Sequence, residues 1–315
     1  MAKKGRMVFG PVLSRRLGLS LGVDVVPFKT CPLDCVYCQL GRTTDRTLRR
    51  KKYVPPEEIL SQIRAALKRG GRIDWITFSG SGEPTLHSEI GKMIREIKIM
   101  TDIPVAVLTS GALLHDASLR NALGAADLVI PDLDAGSARV FRTLNRPHPS
   151  LTFRKVVSGI KDFVSHFPGR VWLEVVLVKG VNDTPAELGR ISALAAKIRP
   201  ARVQLNTVVR PPGEAWAQPL TPAEMRRARS SMAKALRGIP VDVISRSASV
   251  HAQGPAENSD GRILSWLQRR PSTVRDLAAG TGLSRGRLMK HLTPLIASGK
   301  IGERKFGGKT FYEVL

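Results

Sequence analysis

Cys31, Cys35 and Cys38 sit within eight residues of a 315-residue chain that has no other cysteine. Three thiolates at C-x3-C-x2-C spacing can ligate three irons of a cubane 4Fe-4S cluster, whereas a cluster held by cysteine alone needs four. The fourth iron is left for another ligand. Other uses of the thiols fit less well. A closed zinc site takes four ligands at paired spacings, and His87, His115, His148, His166, His251 and His291 form no such pair. An odd cysteine count without a signal peptide argues against a disulfide, since the cytosol keeps thiols reduced. On spacing alone, zinc and three buried small thiols stay open.

A second constellation follows about forty residues on. Trp75-Ile-Thr-Phe-Ser79 reads as a buried strand running into Gly80-Ser81-Gly82-Glu83-Pro84-Thr85-Leu86. Glycines at a strand end let backbone approach a ligand where a side chain would clash, and the exposed carbonyls there can accept hydrogen bonds from an ammonium group. Taken alone, the run is equally a plain Gly-rich turn. Together with the cysteines it resembles the G-G-E-P motif and cluster loop of the radical S-adenosylmethionine (SAM) enzymes, whose open iron is chelated by the amino and carboxylate groups of SAM.

The resemblance implies a set of cofactor contacts. Gly80, Ser81, Gly82, Glu83 and Pro84 would receive the methionine amino group, and Tyr37, just before the third cysteine, would lie against the adenine. Ser110, in Thr109-Ser-Gly111 where the family has T-N-G, would contact ribose or carboxylate. Asp132 and Asp134, in a segment similar to the family's S-L-D, would face ribose or substrate. Asn182-Asp183 resembles a family turn and reads as loop geometry. The implied chemistry is reductive cleavage of SAM to a 5'-deoxyadenosyl radical that abstracts hydrogen from a substrate, with electrons from a partner such as flavodoxin or ferredoxin. None of these motifs names the hydrogen donor.

The elements that must position these residues alternate. Short apolar runs at Val23–Val25, 75–79, 104–109, 127–132, 171–178 and 202–207 read as strands. Helical spacing marks 55–67 and 87–100, the first opening on Pro55-Pro56. Strand-helix alternation implies an α/β fold with a parallel sheet, and six strands suit a partial (β/α)6 barrel of the radical SAM type. Active sites of such barrels gather at the carboxyl ends of the strands, where Ser110, Asp132, Asp134, Glu174 and Asn206 fall. A helix at 221–236 and a further strand at 241–245 complete a first domain, 1–245.

Residues 246–260 are small, polar and unpatterned, which marks a linker. The remainder, 261–315, reads as helix, helix, turn, helix and hairpin. Ser272 is a candidate cap for the second helix. The third presents Arg285, Arg287 and Lys290 outward, and the hairpin carries Arg304 and Lys305 near its tip. This resembles a winged helix-turn-helix, whose third helix would enter a major groove. A wing-like domain that docks protein or peptide is the rival.

The net charge of +24 is concentrated at the ends, with 12 Lys/Arg against 3 Asp/Glu in residues 1–53 and 11 against 3 in 261–315. A solvated basic face is the ordinary explanation of such runs, but the clustering favours a polyanionic partner such as tRNA or DNA. Arg49, Arg50, Lys51 and Lys52, following the cluster loop, could grip phosphates. Residues 9–24 resemble the branch containing the wyosine-forming tRNA-modifying synthases. Those carry a second cluster on additional cysteines, which this chain lacks, so a cysteine-ligated auxiliary cluster and the ring-forming chemistry are not expected. Three functions follow: an enzyme on tRNA or another nucleic acid, an enzyme on a small molecule or peptide, or a DNA-binding regulator that senses cluster or SAM. With no apolar run of eighteen residues and no signal peptide, a cytoplasmic protein without a membrane partner is expected.

Overall fold

The computed structural model describes residues 7–244 and 259–315. Eight strands form one sheet: β1 (Val8–Ser14), β2 (Gly18–Val23), β3 (Trp75–Phe78), β4 (Val105–Thr109), β5 (Leu128–Pro131), β6 (Arg170–Leu177), β7 (Arg202–Thr207) and β8 (Val241–Val243). Their order in the sheet is their order in the chain. From β2 to β8 every pairing is parallel. β2 and β3 are joined through helix α1 (Pro56–Lys68), β3 and β4 through α2 (Ile90–Met100), and β4 and β5 through α3 (Ala117–Ala122). Next come α4 (Ala138–Asn145) and α5 (Phe153–His166) before β6, α6 (Pro185–Ile198) before β7, and α7 (Pro222–Ala235) before β8. This is the expected partial radical SAM-type α/β barrel.

Apolar periodicity explains the layers. α1 starts on a proline and turns Ile59, Leu60 and Ile63 inward; α2 does the same with Ile90, Met93, Ile94 and Ile97. These pack on strand residues Leu21, Ile76, Phe78 and Val107 in one continuous core. The six expected strands are present, with ends within one or two residues, except that the first lies upstream, at Gly18–Val23, so that Val25 falls in the loop. β1 was not foreseen as a strand. Its Pro11 lies on a sheet edge where the register with β2 slips between Phe9 and Val12, a place that tolerates a missing N–H.

The C-terminal residues carry a second core of their own. α8 (Ser259–Leu267), α9 (Val274–Thr281), α10 (Arg285–Ala297) and a hairpin of β9 (Ile301–Phe306) and β10 (Lys309–Val314) enclose Ile263, Leu277, Leu288, Leu292 and Tyr312. Two details differ from the sequence reading. The cap of α9 is Thr273, which forms a capping box with Asp276, while Ser272 pairs its backbone with Tyr312. The hairpin turn is Gly307-Gly308, both at positive φ, so Arg304 and Lys305 lie within β9 rather than at the tip. The expected linker lies, up to residue 258, outside the described residues.

Candidate active site

The cysteine loop follows β2 and is pinned from two sides. The C-terminal carbonyls of α4, which have no partner inside their own helix, accept from the loop: Val36 N donates to Leu144 O at 2.9 Å and Asp34 N to Asn145 O at 3.0 Å. On the other side the Lys29 backbone, held at φ 58°, donates to Ser81 O at 2.6 Å. The Lys29 side chain is 3% exposed, and its ammonium donates to Cys38 Sγ at 3.3 Å. Asn145 Nδ2 donates to Cys35 Sγ at 3.4 Å. Neither Lys29 nor Asn145 belonged to a recognised motif. A lysine two residues before the first cysteine was the only signal for Lys29, and Asn145 had none, because a helix 110 positions downstream delivers it.

The Gly-rich loop leaves the end of β3 beside the cysteines. A side chain on Gly80 would run into the Asp24 carboxylate, and one on Gly82 into the Thr30 carbonyl. The side chains of this loop are spent on the protein itself. Ser81 donates through N and Oγ to Asp24 Oδ2, at 3.1 and 2.5 Å. Glu83, 2% exposed, accepts five hydrogen bonds: two from Thr85, one from Thr109 Oγ1 at 2.7 Å, and two from Ser110, N at 2.7 Å and Oγ at 2.6 Å. Ser110 and Glu83 thus clamp the ends of β3 and β4 together, and Pro84 opens a short 3-10 turn, Pro84–Leu86. What the loop offers a ligand is its backbone.

Tyr37 presents its ring to the cavity while its hydroxyl donates to Asp134 Oδ2. Asp134 is 3% exposed and accepts further from Asn145 Nδ2 at 2.8 Å and Val176 N at 2.7 Å, so its carboxylate faces protein. Asp132 accepts no side-chain hydrogen bond among the described residues and faces the cavity. Three thiols, Gly80, Gly82, Tyr37, Asp132, Glu174 and Asn206 line one cavity of about 1490 Å³.

That cavity fits the expected cofactors. Three cysteine thiols and the open strand-end glycines Gly80 and Gly82 share its lining, as three thiolates binding three separate irons of a cubane with an open fourth site would need. Burial pushes the Cys31 and Cys35 thiols up, with Glu83 adding to the first and Cys31 to the second. Such thiols stay neutral until a metal displaces their protons. The N–H donors from Lys29 and Asn145 would then meet thiolate sulfur. Residues 25–188, just over half of the chain, match the radical SAM superfamily.

The chain belongs to the radical SAM superfamily. Enzymes of this family use a 4Fe-4S cluster with three cysteine ligands and SAM. A UPF0026 protein of Helicobacter pylori (strain J99) is 32% identical to this radical SAM chain, over 99% of both. A protein of Brachyspira hyodysenteriae named GTPase Obg is 41% identical over 99% of this chain, which spans only 45% of that protein's length. The RNA methyltransferase RlmN of Sorangium cellulosum is 26% identical over 59% of this chain and 48% of its own. In fold, the chain is similar to a radical SAM methyltransferase from Sphaerobacter thermophilus, with a TM-score of 0.52 and 20% identity over 71% of this chain and 65% of that one.

A polar network lines the same cavity. Glu174, 6% exposed, pairs with Arg16 and accepts from Asn206 Nδ2 at 2.8 Å, and Arg15 donates to Asn206 Oδ1 at 3.0 Å. Arg15 and Arg16 arrive on the β1 to β2 turn, inside the 9–24 stretch whose branch resemblance the sequence showed without assigning either arginine a role. Burial, then Asp134 and Glu174, push the Asp132 carboxyl up, with Arg16 opposing. Of this neighbouring pair Asp132 takes the proton more readily, because Asp134 has three donors and Asp132 none.

The expected basic residues divide. Arg50 is half-buried and spent inside the fold, on Thr85 O at 3.1 Å, Ser118 Oγ at 3.1 Å and Asp116 at 3.3 Å. Arg49, Lys51 and Lys52 are exposed, with Lys51 over the Tyr53 ring and Lys52 3.6 Å from Glu89. Arg285, Arg287 and Lys290 stand exposed on α10, and Lys305 is exposed on β9. Arg304 instead donates to Pro212 O of the barrel at 2.9 Å. No helix among the described residues is long and apolar enough to cross a membrane.

Proposed function

We propose that this chain is a radical SAM enzyme whose substrate is RNA, most simply a tRNA, or another nucleic acid. The observation that carries the catalytic half is the single cavity lined together by three thiols and by Gly80 and Gly82. Cys31, Cys35 and Cys38 hold the cluster, the Gly80 to Gly82 backbone takes the methionine amino group, the Tyr37 ring borders the adenine, and Asp132 meets ribose or substrate. Once bound, the cofactors supply one-electron cleavage of SAM and hydrogen abstraction. The chain supplies binding, orientation and exclusion of water, and a flavodoxin- or ferredoxin-like partner supplies the electron.

Three observations support a nucleic-acid substrate: the charge excess at both ends, the exposed cations of α10, and a relative named as an RNA methyltransferase. Residues 261–315 then act as a winged helix, with α10 as the contact helix. The hydrogen bond from Arg304 to Pro212 O favours a second reading, in which the hairpin serves to hold this unit on the barrel and the substrate is a small molecule or peptide. The GTPase name of the Brachyspira protein is not carried over, since the chain has no G-x-x-x-x-G-K-[ST] phosphate loop.

The test is anaerobic. The protein is reconstituted with iron and sulfide, reduced and given SAM, and 5'-deoxyadenosine is quantified with and without total tRNA or duplex DNA. Release stimulated by one nucleic acid is the expected result. Slow release indifferent to both moves the assignment to the second reading, and a SAM-bound, cluster-loaded protein that releases none would overturn the enzymatic reading.

A further inference from the structure

The cavity wall is not confined to the barrel. α9 packs against β1, and Arg262 of α8, Arg275 of α9, Arg269 and Arg270 join Arg15 and Arg16 on the same cavity. Every cation on that wall is an arginine, and the carboxylates are Glu83, Asp132, Glu174 and Asp276. Three of those are engaged already, Glu83 by hydroxyls and amides, Glu174 by Arg16 and Asp276 by the N and Oγ1 of Thr273. The seam is built for these side chains. Phe9 lies under Arg269, 4.7 Å from its guanidinium. Gly280 makes room for the Trp266 ring, which any larger residue would strike, and Arg270 stacks on that indole at 4.5 Å.

Arg270 has this ring contact but no hydrogen-bond acceptor among the described residues. Arg270 is half-buried, and the desolvation of its guanidinium lowers it to about 10, with Asp276 opposing and Arg15 adding. A cation partly withdrawn from water gains from an anion that replaces the lost hydration. The planar fork of arginine matches phosphate oxygens two at a time, which a wall of lysines would not do. These residues lie outside the 25–188 segment that matches the family.

We infer that the α8 to α9 wall is a receptor for a phosphate group of the substrate, gripped by Arg270 together with Arg15 from the hairpin, so that the C-terminal unit completes the reaction chamber. The inference rests on the cavity being the radical SAM site and not on the substrate being a nucleic acid.

Calorimetric titration of the full-length, cluster-loaded protein with inorganic phosphate tests it, with and without saturating SAM. Wild type is expected to bind phosphate in both conditions. Arg270→Gln and Arg15→Gln, placed on different elements so that a folding defect in one does not silence the other, are each expected to weaken binding about tenfold or more. Arg227→Gln, exposed on α7, is expected to leave it unchanged. Phosphate binding that survives both cavity variants, that SAM displaces, or that is absent from wild type would overturn the inference. Two further titrants identify the source. A short oligoribonucleotide that competes with phosphate assigns the group to a nucleic acid. Competition by a nucleoside monophosphate and not by the oligomer keeps the receptor while removing the nucleic-acid substrate. If tRNA still stimulates 5'-deoxyadenosine release although neither variant changes phosphate binding, the receptor alone is wrong.

Discussion

Lys29 brings a buried ammonium to 3.3 Å from the Cys38 sulfur, and it does so from a left-handed backbone conformation that few non-glycine residues adopt. Hydrogen bonds and charge beside cluster sulfurs tune both retention and potential. Lys29→Met is therefore expected to keep the fold and lower cluster affinity about 10- to 100-fold, read as iron retained per chain during chelator challenge; retention equal to wild type would show the Lys29 ammonium to be incidental. Asp132 gives a prediction of opposite sign. Its carboxyl is raised by burial first, then by Asp134 and Glu174, against Arg16, and Glu83 adds a further negative charge. A carboxyl raised on folding contributes stability below the ordinary carboxylate range and loses it as pH rises through the folded-state value. Asp132→Asn should then raise Tm over wild type most at pH 8, with the gain shrinking toward pH 4. A gain that does not vary with pH would assign the effect to packing.

At the scale of elements, the site depends on how the end of β3 meets the cysteine loop. Gly82 has no room for a methyl group because the Thr30 carbonyl, itself bonded to Glu83 N at 3.0 Å, occupies that volume. Gly82→Ala must push the loop away from the thiols. A displacement near 1 Å costs about 100-fold in well-positioned sites, so SAM binding should fall by about that factor while the Tm, set largely by the β2 to β8 core, changes little. Equal SAM affinity in Gly82→Ala would mean that the ligand does not touch this backbone. The motif predicted a Gly-rich approach to a ligand. It did not reveal that Ser81, Glu83 and Ser110 spend their side chains on one another and on Asp24, because those pairings join β2, β3 and β4 across many intervening residues.

For the whole molecule, charge asymmetry is the long-range property that matters. Arg285, Arg287 and Lys290 are exposed on one helix with no acidic partner on it. If they meet phosphates, the triple change to glutamine should weaken tRNA binding and flatten its dependence on log salt by about one unit for each phosphate no longer neutralised. An unchanged slope in filter binding across a salt series would place the nucleic-acid surface elsewhere, with Arg49, Lys51 and Lys52 next in line.

The C-x3-C-x2-C loop, the Gly80-Ser-Gly-Glu-Pro turn, the β/α rhythm and the helix-rich C-terminal unit were all legible in the sequence. Each is a local property, resting on spacing, turn chemistry or apolar periodicity over a few residues. Contacts between distant segments belonged to the tertiary structure alone. Only the fold sets Asn145 against Cys35, turns Asp134 inward and leaves Asp132 facing the cavity, spends Arg50 in a loop, and stacks Arg270 beside a cavity that the barrel begins and α8 and α9 finish. Which way a side chain points at the end of a strand is decided by partners far away along the chain, and no local pattern carries that information.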